Sequence, residues 1–277
     1  MTFFRKKETQ VCPELKVHDK IMNNSDEEKY IGDIITGDGK NETNILSRKS
    51  KGFAIAGDIL AILEEVPFGT YKIEAGLVMR NAMLINGMLT NSETWYNLTE
   101  NDVSHFEEVD KYLLRKILNA HSKTPIEMLY LETGAIPIRY IIKQRRISYL
   151  HHLLTRKEHE LIYKVYMAQK RKSVKGDWAV TVQQDLNDIN FNITESQIRL
   201  TKKKNFKVKL KQKIVEASYI YLEKIKESHS KVKEITHKVL KIQPYFQNLN
   251  LSYKEKQLLF KLRTRMTNVK SNFKSMH

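Results

Sequence analysis

Residues 99–118 read TENDVSHFEEVDKYLLRKIL and carry the clearest helical pattern in the chain. Apolar residues recur here at spacings of three and four, at Val103, Phe106, Val109, Leu113 or Leu114, and Ile117. This spacing places them on one side of a helix, where they can pack against a core. Thr99 and Asp102 resemble a capping box with the shorter acid. The stretch therefore predicts an amphipathic helix that begins at Thr99.

Similar periodicity on both sides of this stretch predicts a largely helical protein. Further helices are expected over residues 43–67, 71–89, 125–131, 138–155, 158–172, 177–188, 194–200, 205–227 and 253–266. The steadiest pattern of the second half is in residues 205–227, where Phe206, Leu210 and Ile214 begin an apolar stripe. Gly134 and Pro137 separate two of the helices.

The residues before the first helix show a different pattern. Short apolar runs around Val17 and from Tyr30 to Ile35 flank a polar turn at residues 23–28, which predicts a β-hairpin over 15–36. A second turn, at residues 37–39, ends it. The predicted fold class is mainly α, with a short N-terminal β-hairpin followed by a multi-helix bundle. We place boundaries near residues 40 and 172, which gives three parts: 1–40, 41–172 and 173–277.

The charge of the chain is concentrated in its second half. The 277 residues have a formal net charge of +16, but residues 1–130 have a net charge of −4 and residues 131–277 a net charge of +20. Clustered Lys and Arg create a positive potential that attracts phosphate, so we expect a polyanion partner, RNA or DNA. The alternative is a solvated, lysine-rich surface without a partner.

Composition excludes several other classes of protein. Cys12 is the single cysteine, so the chain has no internal disulfide framework and no Cys-rich zinc module. That count fits an intracellular protein, nuclear or cytoplasmic, better than a secreted one. Residues 1–20 lack the apolar core of a signal peptide. The most apolar stretch, Leu77–Leu89, is too short and too polar to span a bilayer, so we expect no membrane partner.

The sequence lacks the common motifs of catalytic and cofactor sites. It contains no GxGxxG or GxxxxGK[ST] phosphate loop, no HExxH and no GxSxG. The adjacent His151 and His152 point to different sides of the predicted helix, which disfavours a shared metal. The Asp-Asp dipeptide does not occur, and Asp33 and Asp38 flank a turn as surface residues commonly do. We therefore expect no catalytic residue, no metal site and no cofactor.

Three basic clusters are candidate phosphate contacts, the third being Lys261, Arg263 and Arg265, followed by Lys270 and Lys274. The first has seven lysines within twelve residues: Lys202, Lys203, Lys204, Lys207, Lys209, Lys211 and Lys213. Several of them lie away from the apolar stripe, so they could bind phosphates without recognising base sequence, or they could simply be solvated. The second cluster is Arg145 and Arg146, whose guanidinium groups suit bidentate phosphate contacts. Their alternative role is to pair with acidic helices such as the one that holds Glu107, Glu108 and Asp110.

Several strings, in order along the chain, resemble the reverse transcriptases of non-LTR (LINE-type) retrotransposons. KYIGDII at residues 29–35 resembles the family's "YLG" segment, which follows the palm. NSETW at residues 91–95 resembles its "Y-G-[SA]-E-x-W" string, and LRKIL at residues 114–118 resembles its "L-R-[RK]-I-L" helix. Residues 127–139 and 261–269 are also similar to this group. The match covers nearly the whole chain.

The resemblance implies what each part of the chain is. Residues 1–40 would be the end of the palm, residues 41–172 a helical thumb, and residues 173–277 a basic helical linker. The family's catalytic "[FY]-x-D-D" hairpin lies upstream of the "YLG" segment, so this chain would be non-catalytic although its parent family is RNA-directed DNA polymerase. Because the family's thumb packs against the template–primer duplex, Arg48, Lys49 and Lys51 become candidate backbone contacts, in addition to Arg145, Arg146, Lys202, Lys203, Lys204, Lys207 and Lys211.

The resemblance also leaves rival functions open. Loss of contact with a palm would expose apolar surface, so we expect self-association or association with a polymerase palm. One alternative is a basic helical scaffold that docks onto an acidic protein. Another is a retroelement remnant without a function.

Overall fold

The computed structural model describes residues 16–17, 20–21, 25–37 and 41–267. The protein is mainly helical, with short antiparallel hairpins at its N-terminal end, which confirms the predicted fold class. Leu15 and the turn residues 38 and 39, both parts of the predicted hairpin, lie outside the described residues.

The N-terminal strands form two separate hairpins. Strands β1 (Lys16–Val17) and β2 (Lys20–Ile21) pair with each other, and β3 (Glu27–Tyr30) pairs with β4 (Asp33–Thr36). Of the turn predicted at residues 23–28, residues 23 and 24 lie outside the described residues, and Glu27 and Glu28 already belong to β3. The chain instead reverses at Ile31 and Gly32, whose φ angles of 48° and 85° fit the two-residue hairpin turn that matches strand twist.

The helices follow closely the periodicity of the sequence. Their bounds are α1 Glu42–Glu65, α2 Lys72–Met79, α3 Asn86–Met88, α4 Glu100–Leu118, α5 Ile126–Thr133, α6 Ile138–Leu154, α7 Leu161–Lys172, α8 Trp178–Asp188, α9 Glu195–Leu200, α10 Lys203–Lys226, α11 Pro244–Gln247 and α12 Tyr253–Arg263. A 3₁₀ turn at Gly69–Tyr71 precedes α2, and a π-helical segment at Arg80–Ile85 joins α2 to α3. The four-residue α11 was not predicted.

The predicted capping box of α4 is present. The Thr99 hydroxyl accepts from the Asp102 backbone N–H at 3.1 Å, and the Asp102 carboxylate accepts from the Thr99 N–H at 2.8 Å. Each interaction satisfies a backbone donor that would otherwise lack a partner at the helix start. The apolar stripe of α4 is buried, from Phe106 to Ile117.

Buried apolar side chains form two clusters. The first cluster contains residues of α1 to α5 and the start of α6, and residues Leu222 to Phe260 complete it. The second cluster contains the rest of α6, α8 and the N-terminal two thirds of α10, up to Ala217. The clusters therefore divide the chain differently from the boundary predicted near residue 172, because α10 contributes to both.

Buried ion pairs connect distant parts of the first cluster. Arg80, in the π-helical segment, donates to both carboxylate oxygens of Asp110 at 2.5 and 2.6 Å, and the Tyr130 hydroxyl donates to the same carboxylate at 2.9 Å. All three side chains are almost completely buried. This bidentate pair fixes the π-helical segment against α4 and α5.

The C-terminal segment is attached to α5 through Glu132. This fully buried carboxylate accepts hydrogen bonds from Tyr245 at 2.8 Å and from Arg263 at 2.9–3.0 Å, and His237 Nε2 lies 2.9 Å from it. The neighbouring residue, Thr133, forms an isolated β-bridge with Ile242.

Among the described residues, no helix has both the length and the apolar character needed to cross a bilayer.

Candidate nucleic-acid interface

The first basic cluster lies on the N-terminal part of α10 and its preceding residue. Phe206, Leu210 and Ile214 point into the second cluster, so the residues between them face solvent. We call the exposed set of six lysines the lysine face: Lys202, Lys203, Lys204, Lys207, Lys209 and Lys211. The seventh predicted lysine, Lys213, is partly buried and pairs with Glu216 at 2.9 Å.

The charge of the lysine face is not neutralised by the protein itself. None of its six ammonium groups forms a salt bridge with a carboxylate of the described residues. The first turn of α10 contains no acidic residue, and Lys202 provides no side-chain cap. The positive charges of the lysines and the positive end of the helix dipole therefore lie close together. Their mutual repulsion is unfavourable unless an anion is near.

The spacing of the lysines suits an extended polyanion. Lys204, Lys207 and Lys211 are three and four residues apart, so they share one side of the helix. They span about 10 Å along the helix axis, given the rise of about 1.5 Å per residue. Lys202 and Lys209 lie toward the opposite edge of the buried stripe. The arrangement can contact several phosphates of one backbone.

The second basic cluster, Arg145 and Arg146, is not a free surface, which corrects its prediction as a phosphate contact. Arg146 is buried and donates to both oxygens of Asp185 at 2.6 and 2.9 Å. Arg145 donates to the carbonyls of Ile85 and Leu89 and to Asn86 Oδ1, the last at 2.9 Å. Its guanidinium thus caps the C-terminal end of the 72–88 helical segment, and burial lowers its pKa. Both arginines hold elements together.

Of the three predicted contacts on α1, only Lys51 is exposed without a salt bridge to a described residue. Arg48 is buried and donates to Asp33 Oδ1 at 2.9 Å, which corrects its prediction as a phosphate contact. Lys49 pairs with Glu108 at 2.7 Å. This region of α1 therefore offers one free cation, within the part of the chain that the structure describes.

Arg48 belongs to a set of donors that hold the β3–β4 hairpin to the helices. Asp33 also accepts from Asn44 at 3.1 Å, from Asn91 at 2.9 Å and from the Trp95 indole N–H at 3.4 Å. The Trp95 ring stacks on Phe106, with 5.3 Å between ring centroids. Asp33 therefore has a structural role, and it joins the 29–35 and 91–95 strings in space.

No metal centre is evident in the described ranges, where no group of three or more His, Cys, Asp or Glu side chains is arranged to hold an ion. His151 is buried against Phe206, whereas His152 stacks on Tyr149. The two imidazoles thus have different neighbours, as their adjacent positions on a helix suggest.

No family model, curated protein or solved structure matches this chain. The features that mark the lysine face are its exposure, its charge and the spacing of its lysines.

Proposed function

We propose that this protein binds nucleic acid through the phosphate backbone, with the lysine face of α10 as the main contact. The observation that carries the proposal is the set of six exposed lysines within ten residues, none paired with a carboxylate of the described residues. Clustered cations bind nucleic acid by releasing condensed counterions, a mechanism that needs no base recognition. Lys51 is a second, isolated candidate contact.

The proposal includes an origin and a type of ligand. The ordered strings at residues 29–35, 91–95 and 114–118 support a thumb and linker of a non-LTR retrotransposon reverse transcriptase, and hence a template–primer duplex as the ligand. A mainly helical body is compatible with that assignment. The sequence has no Asp-Asp dipeptide, so we propose binding without polymerisation.

The test is fluorescence-anisotropy binding at about 50 and 200 mM salt. The ligands are an RNA–DNA primer–template duplex, a single strand of equal length and an acidic polypeptide. We expect the duplex to bind best and its affinity to fall steeply with salt. Replacing three lysines of the lysine face with Gln should lower the slope of log Kd against log salt by about 2, because each phosphate contact contributes about 0.7–0.9.

The matched control removes the same charge from other surfaces. Lys164, Lys224 and Lys254 are exposed, and they lie on α7, the C-terminal part of α10 and α12. The triple variant K164Q/K224Q/K254Q should keep nearly the wild-type salt slope. Equal slopes in both triple variants would show that only net charge matters. Preferential binding of the acidic polypeptide would favour a protein-interaction scaffold instead.

A further inference from the structure

A cavity of about 410 Å³ lies beside the lysine face, and no role has yet been given to it. It is bounded by the last turns of α6, the end of α9 and the first turn of α10. The side chains that matter for its chemistry are His152, Arg199, Leu200, Lys202, Lys203 and Lys207. Three of the six lysines of the lysine face thus line the cavity, and the other three do not.

The floor of the cavity is part of the second cluster. The His151 and Phe206 rings pack with 4.7 Å between their centroids, and both are buried. His151 Nε2 lies 2.9 Å from the Thr201 carbonyl oxygen, which fixes the short connection between α9 and α10. Because well-packed residues form the floor, the cavity keeps its shape without a ligand.

The cavity is strongly positive. Lys202, Lys203 and Lys207 have no carboxylate partner in the described part of the chain. Arg199 lies 3.5 Å from Glu158, but that pair is well exposed and therefore weak enough for a phosphate to displace. Burial lowers the pKa of His152, and the positive charges of Arg156 and Lys203 act in the same direction. Four cationic side chains therefore surround one cavity.

The cavity also offers apolar and aromatic surface. Leu200 is 85% exposed at the rim, so its apolar surface is available for contact with a ligand. The His152 ring lines the wall and is supported by Tyr149, at 5.8 Å between centroids and 20° between planes. A base can stack on such a surface, and the volume lies in the range of pockets that hold nucleotide-sized ligands.

We infer that this cavity binds the phosphorylated terminus of a nucleic-acid strand, with the terminal phosphate among Lys202, Lys203, Lys207 and Arg199 and the adjoining base against Leu200 and His152. A terminal phosphate monoester has a charge of about −1.5 to −2 at neutral pH, as in phosphorylated side chains, whereas an internal diester has about −1. Grouped cations without partners favour the more highly charged group. This inference rests on the proposed function and adds recognition of strand ends to it.

The test compares single strands of one sequence with a 5′-phosphate, a 3′-phosphate or only hydroxyl ends, by anisotropy with the full chain. A label in the middle of the strand leaves both ends free. We expect one phosphorylated form to bind about fivefold more tightly than the hydroxyl form, the equivalent of about 1 kcal/mol. Comparing the 5′ and 3′ forms identifies the end that is recognised.

Two variants with equal loss of charge locate the effect. K202Q/K203Q/K207Q removes the lysines that line the cavity, whereas K204Q/K209Q/K211Q removes exposed lysines of the same face outside it. The first variant should lose the preference for a phosphorylated end, and the second should keep it at lower overall affinity. Circular dichroism spectra that match the wild type are required of both variants, so that a loss of fold is not mistaken for a loss of binding.

Failures of the two proposals give different results. If the wild-type protein binds phosphorylated and hydroxyl ends equally, or if both variants lose the preference to the same extent, the cavity does not bind strand ends. The proposed function survives either result, provided both variants show weaker, less salt-sensitive binding. If neither variant weakens binding to any strand, nucleic-acid binding by the lysine face is itself wrong.

Discussion

Glu127 and Glu132 are both buried on α5, yet the pKa values of their carboxyl groups shift in opposite directions. Burial raises the pKa of Glu127, and the partial compensation from a backbone hydrogen bond, His229 and Lys226 does not restore it. Burial also acts to raise the pKa of Glu132, but hydrogen bonds from His237, Arg263 and Tyr245 outweigh it and hold that pKa below 4.5. Two glutamates five residues apart thus contribute differently to stability.

These shifts predict opposite pH dependences for E132Q and E127Q. The ionised Glu132 stabilises the folded state above about pH 4.5, and that contribution is lost as the pH falls through its lowered pKa. The ionised Glu127 opposes folding above its raised pKa, so protonation on acidification stabilises the folded state. In urea unfolding between pH 7 and 3, the wild-type advantage over E132Q should shrink below about pH 4.5, whereas the stability of the wild type relative to E127Q should rise on acidification. Parallel curves would contradict this.

The chemistry of their charged groups helps explain why three arginines are buried and the lysine face is exposed. Arg48, Arg80 and Arg146 are buried against a carboxylate, since the guanidinium fork forms several directed hydrogen bonds at once. The lysines of the lysine face extend into solvent, where an ammonium group keeps its hydration. From sequence, both clusters are candidate phosphate contacts, with pairing to acidic helices as the alternative for the arginines and solvation as the alternative for the lysines. Acceptors at distant positions, such as the Asp185 carboxylate for Arg146 and the Leu89 carbonyl for Arg145, distinguish the two clusters.

At the scale of elements, the end of α5 contacts the returning C-terminal segment closely. Gly134 has a φ of 68°, and a Cβ there would lie 2.4 Å from the Ile242 backbone nitrogen and 2.5 Å from the Lys241 carbonyl carbon. Backbone atoms cannot move aside as a flexible side chain can. The glycine is therefore required both by the turn and by the neighbouring strand-like segment.

Substitution of two glycines should separate these two requirements. Gly69 also has a positive φ, 53°, but a Cβ there would meet no described atom within 4 Å. We expect G69A to cost about 1 kcal/mol of unfolding free energy, from backbone conformation alone. G134A should cost at least about 2–3 kcal/mol, because the chains must also move apart. Equal losses in chemical denaturation would mean that the close approach is easily relieved.

Local sequence signals predicted the elements well, whereas contacts between distant residues escaped them. Thr99 and Asp102 cap α4 as expected, because both residues of that motif are in the same short stretch. The attachment of Glu132 to Tyr245 and Arg263 joins residues more than 100 positions apart. No periodicity marks such a pair. The turn at Ile31 and Gly32 was not predicted, because β-branched residues such as Ile31 rarely adopt a positive φ.

At the scale of the whole molecule, α10 connects the two apolar clusters. Phe206, Leu210 and Ile214 belong to the second cluster, and Leu222, farther along the same helix, belongs to the first. An unbroken helix of 24 residues can transmit the loss of packing at one end to the other. The two clusters should therefore unfold together.

Core substitutions in each cluster test this coupling by calorimetry. F206A affects the second cluster and F260A the first, and each should cost about 3–5 kcal/mol because both rings are fully buried. We expect both variants to shift one cooperative transition to lower temperature. V208A, at a half-exposed position of α10, should leave it nearly unchanged. A second transition that moves in only one variant would show that the clusters are independent.

The sharing of α10 also determines the order in which the clusters can be completed on the ribosome. The second cluster has all its members once Ala217 has emerged, although most of the first cluster is synthesised earlier. The first cluster still lacks Phe246 and Phe260, which are among the last described residues. The first cluster, most of which is translated first, is therefore completed last. Its apolar side chains remain accessible to chaperones for most of synthesis.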